Sequence, residues 1–453
     1  MSDFIVDADY YIQVGKDLLE RGEKEEAIRA FEQALFLNPD SAYGHYAIGE
    51  PLSDVGRLQE AIFHYQEAAR LDPDDPDPWV GLGWIAMQEK RWIDECAAYD
   101  RALEIQPDCV IALINLGVSY QQLGFYEEAV RLLRQAEALT PDDTEIPVTI
   151  AGVFQDAGDV EEAVSTFQSA IRAHPKEPDL VWKLGILLSE SERFQEALAA
   201  WESVLFYRDE EPDLLRRIGD ALMRLGRSEE ALVRYQQATE ENPEDAFAYN
   251  DKGNCLSELE RHAEAVAAYQ EALRLDPTHR DAHLWLVNLG ISLDHLERYE
   301  EARDVYRKAL EICPDDVDAF INLGVNYAWS DQHEEAITAY QKALRLDPHR
   351  PVALSNLANQ YFETGRDEEA LLACKDAIRC GSSLCRVYHI LGEIMESQGR
   401  ICAARLWWKR GLALPQDEAT PLVREALRQA RKQAASRRAI GAKTKRSRSS
   451  RLS

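Results

Sequence analysis

The sequence has little of what marks a membrane protein, a secreted domain or an enzyme. No stretch approaches the roughly 18 apolar residues of a membrane-spanning helix, so no span is expected. The opening MSDFIVDADYYI carries neither a basic nor an apolar leader region, so no secretory signal is expected. Eight cysteines in 453 residues are too sparse for a disulfide framework, and none stands in a CxxC pair. A reducing, cytoplasmic setting is expected. Cys374, Cys380, Cys385 and Cys402 gather near the end, but their spacing fits no familiar zinc pattern and Cys374 occupies a core position, so neither a metal nor another cofactor is expected. There is no phosphate-binding glycine loop, no HExxH, no nucleophile elbow and no cysteine set beside a histidine; the ten histidines are scattered. Catalysis is not expected. Basic charge is also short, with 51 Lys and Arg against 81 Asp and Glu and a net charge of −30. That balance disfavours nonspecific nucleic-acid binding by the body of the chain.

What is present is a period. Val317 to Arg350, VDAFINLGVNYAWSDQHEEAITAYQKALRLDPHR, is a 34-residue unit that can be laid along nearly the whole chain. Its first half spaces Phe320, Leu323, Gly324 and Tyr327 by three and four residues, and its second half does the same with Ala336, Tyr340, Ala343 and Leu346. Each half is therefore an amphipathic helix. Ser330, Asp331 and Gln332 interrupt the apolar pattern between them, and Pro348 stops the second helix, because proline lacks an N–H and disfavours helix in the residue before it. Gly324, Ala336 and Ala343 let the two backbones approach, and Tyr327 and Tyr340 fill the gaps left. Such a unit cannot bury its own apolar face, so the period implies stacked units with one continuous core.

The spacing of Phe320, Leu323, Gly324, Tyr327, Ala336, Tyr340, Ala343 and Pro348 resembles the tetratricopeptide repeat (TPR). The small position eight recurs twelve times, as glycine from Gly15 and Gly49 through Gly392, with Ala151 and Ala358 in two units. Position twenty is alanine in eleven units; the third alone departs, with Glu95. The expected fold is all-α: a right-handed TPR superhelical solenoid of about twelve helix-turn-helix repeats with a C-terminal capping helix. The acidic residues that open many second helices suit the positive end of the helix dipole.

In chain order, residues 1–7 are a lead, 8–279 hold units one to eight, 280–316 an irregular ninth, 317–417 units ten to twelve, 418–438 a capping helix and 439–453 a basic disordered tail. Pro51, at position ten of unit two, is expected to bend or shorten its helix, either as local strain or to widen a groove. Unit nine has 37 residues; the three extra ones precede Gly290 and lengthen either its first helix or its incoming loop. That shift in register makes unit nine the preferred place for a bend between units one to eight and nine to twelve, and a mere bulge is equally compatible. The capping segment is apolar at Leu422, Val423, Ala426, Leu427 and Ala430.

With no catalytic set, a surface is left. The resemblance implies that the first helix of each unit presents positions two, five, six, nine, twelve and thirteen to a ligand lying in a concave groove. Position six is Asn115, and then Asn288, Asn322 and Asn356 in successive units. An amide both donates and accepts, so a row of them can hold an extended peptide backbone with little regard to its sequence. The row is similar to the asparagine ladder in the TPR domain of O-linked N-acetylglucosamine transferases, although no transferase domain follows. The carboxylate clamp of chaperone-binding TPR proteins is disfavoured, since Asn250 stands where its lysine belongs. Trp84, at position nine, is expected on the inner surface, and Trp79 in the core. Arg216, Arg217 and Arg224 form a basic spot that either meets an acidic partner residue or pairs with neighbouring glutamates.

Residues 418–453 hold eleven Lys or Arg against two Glu. Lys443, Lys445, Arg446, Arg448 and Arg451 offer the alternative reading, recruitment to nucleic acid or an anionic surface, and a plain solubilising tail is equally compatible. The leading reading is a non-catalytic scaffold or adaptor that binds an extended peptide or partner protein in its groove.

Overall fold

The computed structural model describes residues 7–205, 211–415 and 420–430. Among them the chain is all helix and turn, with no strand. Units one to four contain α1 (Ala8–Glu20) and α2 (Lys24–Leu37), α3 (Ala42–Asp54) and α4 (Leu58–Leu71), α5 (Asp77–Gln88) and α6 (Trp92–Ile105), and α7 (Val110–Gln122) and α8 (Tyr126–Leu139). Units five to eight contain α9 (Glu145–Ala157) and α10 (Val160–Ala173), α11 (Pro178–Glu190) and α12 (Phe194–Val204), α13 (Pro212–Arg224) and α14 (Ser228–Glu241), and α15 (Ala246–Glu258) and α16 (His262–Leu275). Units nine to twelve contain α17 (Ala282–His295) and α18 (Tyr299–Ile312), α19 (Val317–Trp329) and α20 (His333–Leu346), α21 (Pro351–Glu363) and α22 (Asp367–Arg379), and α23 (Cys385–Ser397) and α24 (Ile401–Gly411). Odd numbers are first helices and even numbers second helices. Each helix packs on its repeat partner and on the next unit within two compact bodies, residues 1–209 and 210–453.

The close approach within a pair has a direct cause. A Cβ placed on Gly324 would lie 2.6 Å from the ring of Tyr340, and one on Gly290 would lie 2.5 Å from Tyr306. The small residue of a first helix thus receives the flat face of the aromatic on the second helix, and both tyrosines are buried. Between the helices, one residue takes the left-handed conformation that releases the chain from α1, α19 and their equivalents. It is usually glycine, as at Gly22, Gly56 and Gly124, but Lys90, Glu192, Glu260, Glu297 and Asp331 adopt the same positive φ. Several first helices are capped by a side chain at the residue before them: Asp7, Ser41, Asp245 and Asp316 each accept from a backbone N–H of the first turn.

Pro51 does not shorten its helix. α3 keeps thirteen residues, as α1 and α7 do, and the proline ring is buried. Of the three extra residues in unit nine, two enter the loop and one the helix. The loop 276–281 has six residues against four in 313–316, and α17 has fourteen residues against thirteen in α19. The longer loop is held by His279, whose Nδ1 accepts from the Asp281 N–H at 3.1 Å and whose ring stacks on Trp285 at 5.3 Å.

The array ends in a helix over 420–430. Val423, Leu427 and Ala430 are buried with Trp408 and Ile394, the contact expected of a cap, whereas Leu422 points to solvent. The rest of the expected cap and the whole tail, with Lys443, Lys445, Arg446, Arg448 and Arg451, lie outside the described residues. No helix among the described residues is long and apolar enough to cross a membrane.

Candidate partner-binding faces

In the second body the position-six amides lie on one face of α17, α19 and α21, all half-buried, but their hydrogen-bonding capacity differs. Asn288 donates to Oδ1 of Asn254 at 3.1 Å, and the same oxygen accepts from the Tyr269 hydroxyl at 2.9 Å. One donor of the row is therefore committed to joining α17 to α15. The side chain of Asn322 makes no hydrogen bond among the described residues. Asn356 stands beside the Tyr340 phenol, which burial pushes well above its ordinary range and a hydrogen bond from Asn356 partly relieves.

Asn356 also lines a cavity of about 500 Å³ with Trp329, Asn359, Leu384 and Arg386. Trp329 is 50% exposed. Arg386 donates to Oδ1 of Asn359 at 3.3 Å, and His333 donates through Nδ1 to Oε1 of the buried Gln360 at 2.8 Å. The cavity thus offers an aromatic wall, two half-buried amides and one arginine beside the carboxylates of Asp331 and Glu363.

The arginines of unit seven do not form a free basic spot. Arg216 pairs with Asp213 at 2.8 Å and Asp251 at 3.4 Å, and Arg217 reaches Asp213 at 3.5 Å; Arg224, at the end of α13, is partnered as well. For Arg216 these partners are aspartates. Burial pushes the Asp251 carboxyl up to about 6, with Asp220 adding to the rise and Arg216 opposing it. Asp220 is raised by burial too, against a hydrogen bond from the Tyr235 hydroxyl at 2.7 Å. Asp213 meets Arg216 and Arg217 at helical spacing on α13, whereas Asp251 reaches Arg216 from the neighbouring α15.

In the first body Trp84 and Asn115 come together. Both line a cavity of about 390 Å³ between α3, α5 and α7, with Tyr46, Glu50, Asp77 and Ile111. Trp84 is 36% exposed, and Trp79 packs half-buried against the core around Leu113. Tyr46, Glu50, Asp77 and Ile111 were not singled out from sequence, although they occupy positions five, nine and two of their units. The signal was the same positional rule that located Trp84. Of the late cysteines, Cys374 and Cys385 are buried and Cys402 is exposed. Burial pushes the Cys374 thiol up to about 12.

Residues 2–181 match the family described as the C-terminal domain of cilia and flagella-associated protein 70. Residues 183–234, 244–315 and 330–365 match three tetratricopeptide-repeat families. No curated protein matches the chain. Among solved structures, pilF of Pseudomonas aeruginosa is 21% identical over 45% of this chain and 92% of its own, with a TM-score of 0.40. MamA protein is 21% identical over 37% of this chain and 92% of its own, with a TM-score of 0.35. YrrB, titled a TPR protein with an unusual peptide-binding site, is 24% identical over 42% of this chain and 95% of its own, with a TM-score of 0.36.

Proposed function

This chain belongs to the tetratricopeptide-repeat family and is an interaction scaffold, and we propose that it acts without catalysis by holding an extended peptide of a partner protein against α17, α19 and α21. The observation that carries the proposal is Asn322, half-buried between Asn288 and Asn356 with its amide unused by the described chain. A half-buried amide is partly dehydrated already, so a peptide N–H or C=O that meets it replaces little water. Asn356 and Asn359 extend the same polar track into the 500 Å³ cavity, where Trp329 and Leu384 supply apolar surface for a side chain. A backbone-directed grip of this kind sets orientation and leaves selectivity to the side-chain cavity.

The test is site-specific photocrosslinking in cell extract. A photoreactive residue at Asn322 is expected to trap a partner that the same residue at Leu372, exposed on the second-helix face, does not. Asn288→Ala, Asn322→Ala and Asn356→Ala together are expected to abolish the crosslink made from Asn359 without changing the circular dichroism spectrum. Equal trapping from Asn322 and Leu372 would reject the proposal.

A further inference from the structure

The first body holds a second site of different character. We propose that the cavity between α3, α5 and α7 takes an arginine side chain carried by a basic peptide of a partner protein.

Its walls are the half-buried ring of Tyr46 and the indole of Trp84, and its rim carries Glu50 and Asp77. No lysine or arginine lines it. Arg57, Arg70 and Arg91 are each engaged with a neighbouring acid, Glu60 at 2.7 Å, Glu67 at 2.8 Å and Asp94 at 3.0 Å, and Lys24 pairs at 2.8 Å with Asp54, a third carboxylate of the cavity wall. Glu50 and Asp77 have no cation partner among the described residues. The negative field they create is felt by Tyr46, whose phenol is pushed up to about 12, first by burial and then by Asp77, Glu50 and Asp75.

Elsewhere cations of this chain sit over its own aromatics, whether exposed, half-buried or buried. Lys16 sits 4.6 Å over Tyr43, Arg366 4.5 Å over Tyr361 and Arg410 5.0 Å over Trp407. Trp84 has neither a cation nor another ring on it among the described residues. The cavity therefore repeats the acceptor half of a contact this fold makes internally, with carboxylates added and the cation missing.

Arginine fits that combination better than lysine does. The guanidinium is planar and weakly hydrated, so it can stack on the indole and still present a fork of N–H donors to a carboxylate. The ammonium of lysine is a strongly hydrated point charge. Asn115, on the α7 side, adds an amide for the peptide backbone.

The site stands in a different body from the amide row and does not depend on it. The probe is a phage-displayed library of random twelve-residue peptides, selected on the full chain; fluorescein-labelled winners are then measured by anisotropy. Selected peptides are expected to share an arginine. Trp84→Ala and the pair Glu50→Gln with Asp77→Asn are each expected to weaken binding by about tenfold or more. Exchange of the peptide arginine for lysine is expected to weaken it too, and Asn322→Ala with Asn356→Ala to leave it unchanged. Should Trp84→Ala disturb the helical spectrum, the charge pair alone decides, since both carboxylates are exposed. Failure to select any peptide whose binding survives Asn322→Ala with Asn356→Ala, or winners of that class that lack arginine or are indifferent to the charge pair, would overturn the proposal. So would selection that succeeds only when Lys443, Lys445, Arg446, Arg448 and Arg451 are replaced by alanine, because the occupant would then be the chain's own tail.

Discussion

The Ser119 hydroxyl donates a 2.6 Å hydrogen bond to Oε1 of Glu95, and the other carboxyl oxygen of that glutamate is buried with no partner. Glu95 is the one residue at position twenty that is not alanine, and it is 1% exposed. Burial raises its pKa, against the lowering effect of the Ser119 bond. A carboxyl raised in the folded state favours folding below its unfolded pKa, and that contribution is lost as pH rises through the folded value. Glu95→Gln is therefore expected to stabilise the chain by about 1 kcal/mol or more at pH 7 and to make little difference at pH 4. Urea unfolding at the two pH values checks this; an equal effect at both would show that charge is not the cause.

Two glycines in first helices should respond oppositely to alanine. At Gly324 the new Cβ would meet the Tyr340 ring at 2.6 Å, whereas at Gly152 the nearest atom is the amide nitrogen of Gln121 at 3.9 Å. Gly324→Ala is expected to cost about 1–3 kcal/mol through overpacking. Gly152→Ala is expected to add about 0.5–1 kcal/mol, because helical glycine gives up more backbone entropy than alanine on folding. Thermal unfolding of both variants checks the pair of signs.

That contrast bears on what could be read from the chain alone. The pairing of Gly324 with Tyr340 was legible, because small and large residues at fixed spacing describe a contact between two helices. The left-handed residue of each turn was not, since Asp331 reads only as polar and nothing in its side chain announces a positive φ. On the candidate faces, Trp84 and Asn115 were legible from position within the repeat. The bond from Asn288 to Asn254 was not, because it depends on how far one unit is displaced on the next. Nor was the pairing of Arg216 with Asp251 across 35 residues, which turns an apparent basic spot into a neutralised one.

Asn326 and Asn322 lie one helical turn apart on α19 and should behave differently. Asn326 is fully buried, donates to Oδ1 of Asp294 and to the Tyr299 carbonyl at 2.9 Å, and accepts from Nε of Arg303 at 3.1 Å. Asn326→Ala strands Oδ1 of Asp294, a carboxyl already raised by burial whose Oδ2 keeps the Tyr306 hydroxyl at 2.8 Å, and is expected to cost about 2–3 kcal/mol. Asn322→Ala removes no hydrogen bond within the described chain and is expected to stay within about 0.5 kcal/mol. A denaturant midpoint for each separates a residue that holds units nine and ten together from one available to a partner.

The last prediction concerns acid. Nδ1 of His45 and Nδ1 of His64 are 2.9 Å apart, and Nε2 of His45 lies 3.0 Å from the Pro39 carbonyl, to which it must donate. With both rings neutral, that leaves His64 to donate through Nδ1 to His45; one added proton can be carried with either ring still donating to the other, and only when both rings are protonated do two N–H groups meet face to face. Burial first, and His45 second, lower the His64 pKa from 6.5 to about 4, while Glu60 and Glu67 oppose the shift and Arg57 adds to it. Above pH 6.5 the ring is neutral in both states. Between about 6.5 and 4 the unfolded chain takes up a proton that the folded chain refuses, so this group withdraws stability as pH falls through that window. His64→Gln removes that proton uptake. Its unfolding midpoint relative to the original chain is expected to rise steadily from pH 7 to pH 4.5, measured at matched ionic strength. Parallel profiles would show that His64 already shares its proton freely in the folded state, and the two-histidine contact would then need another account.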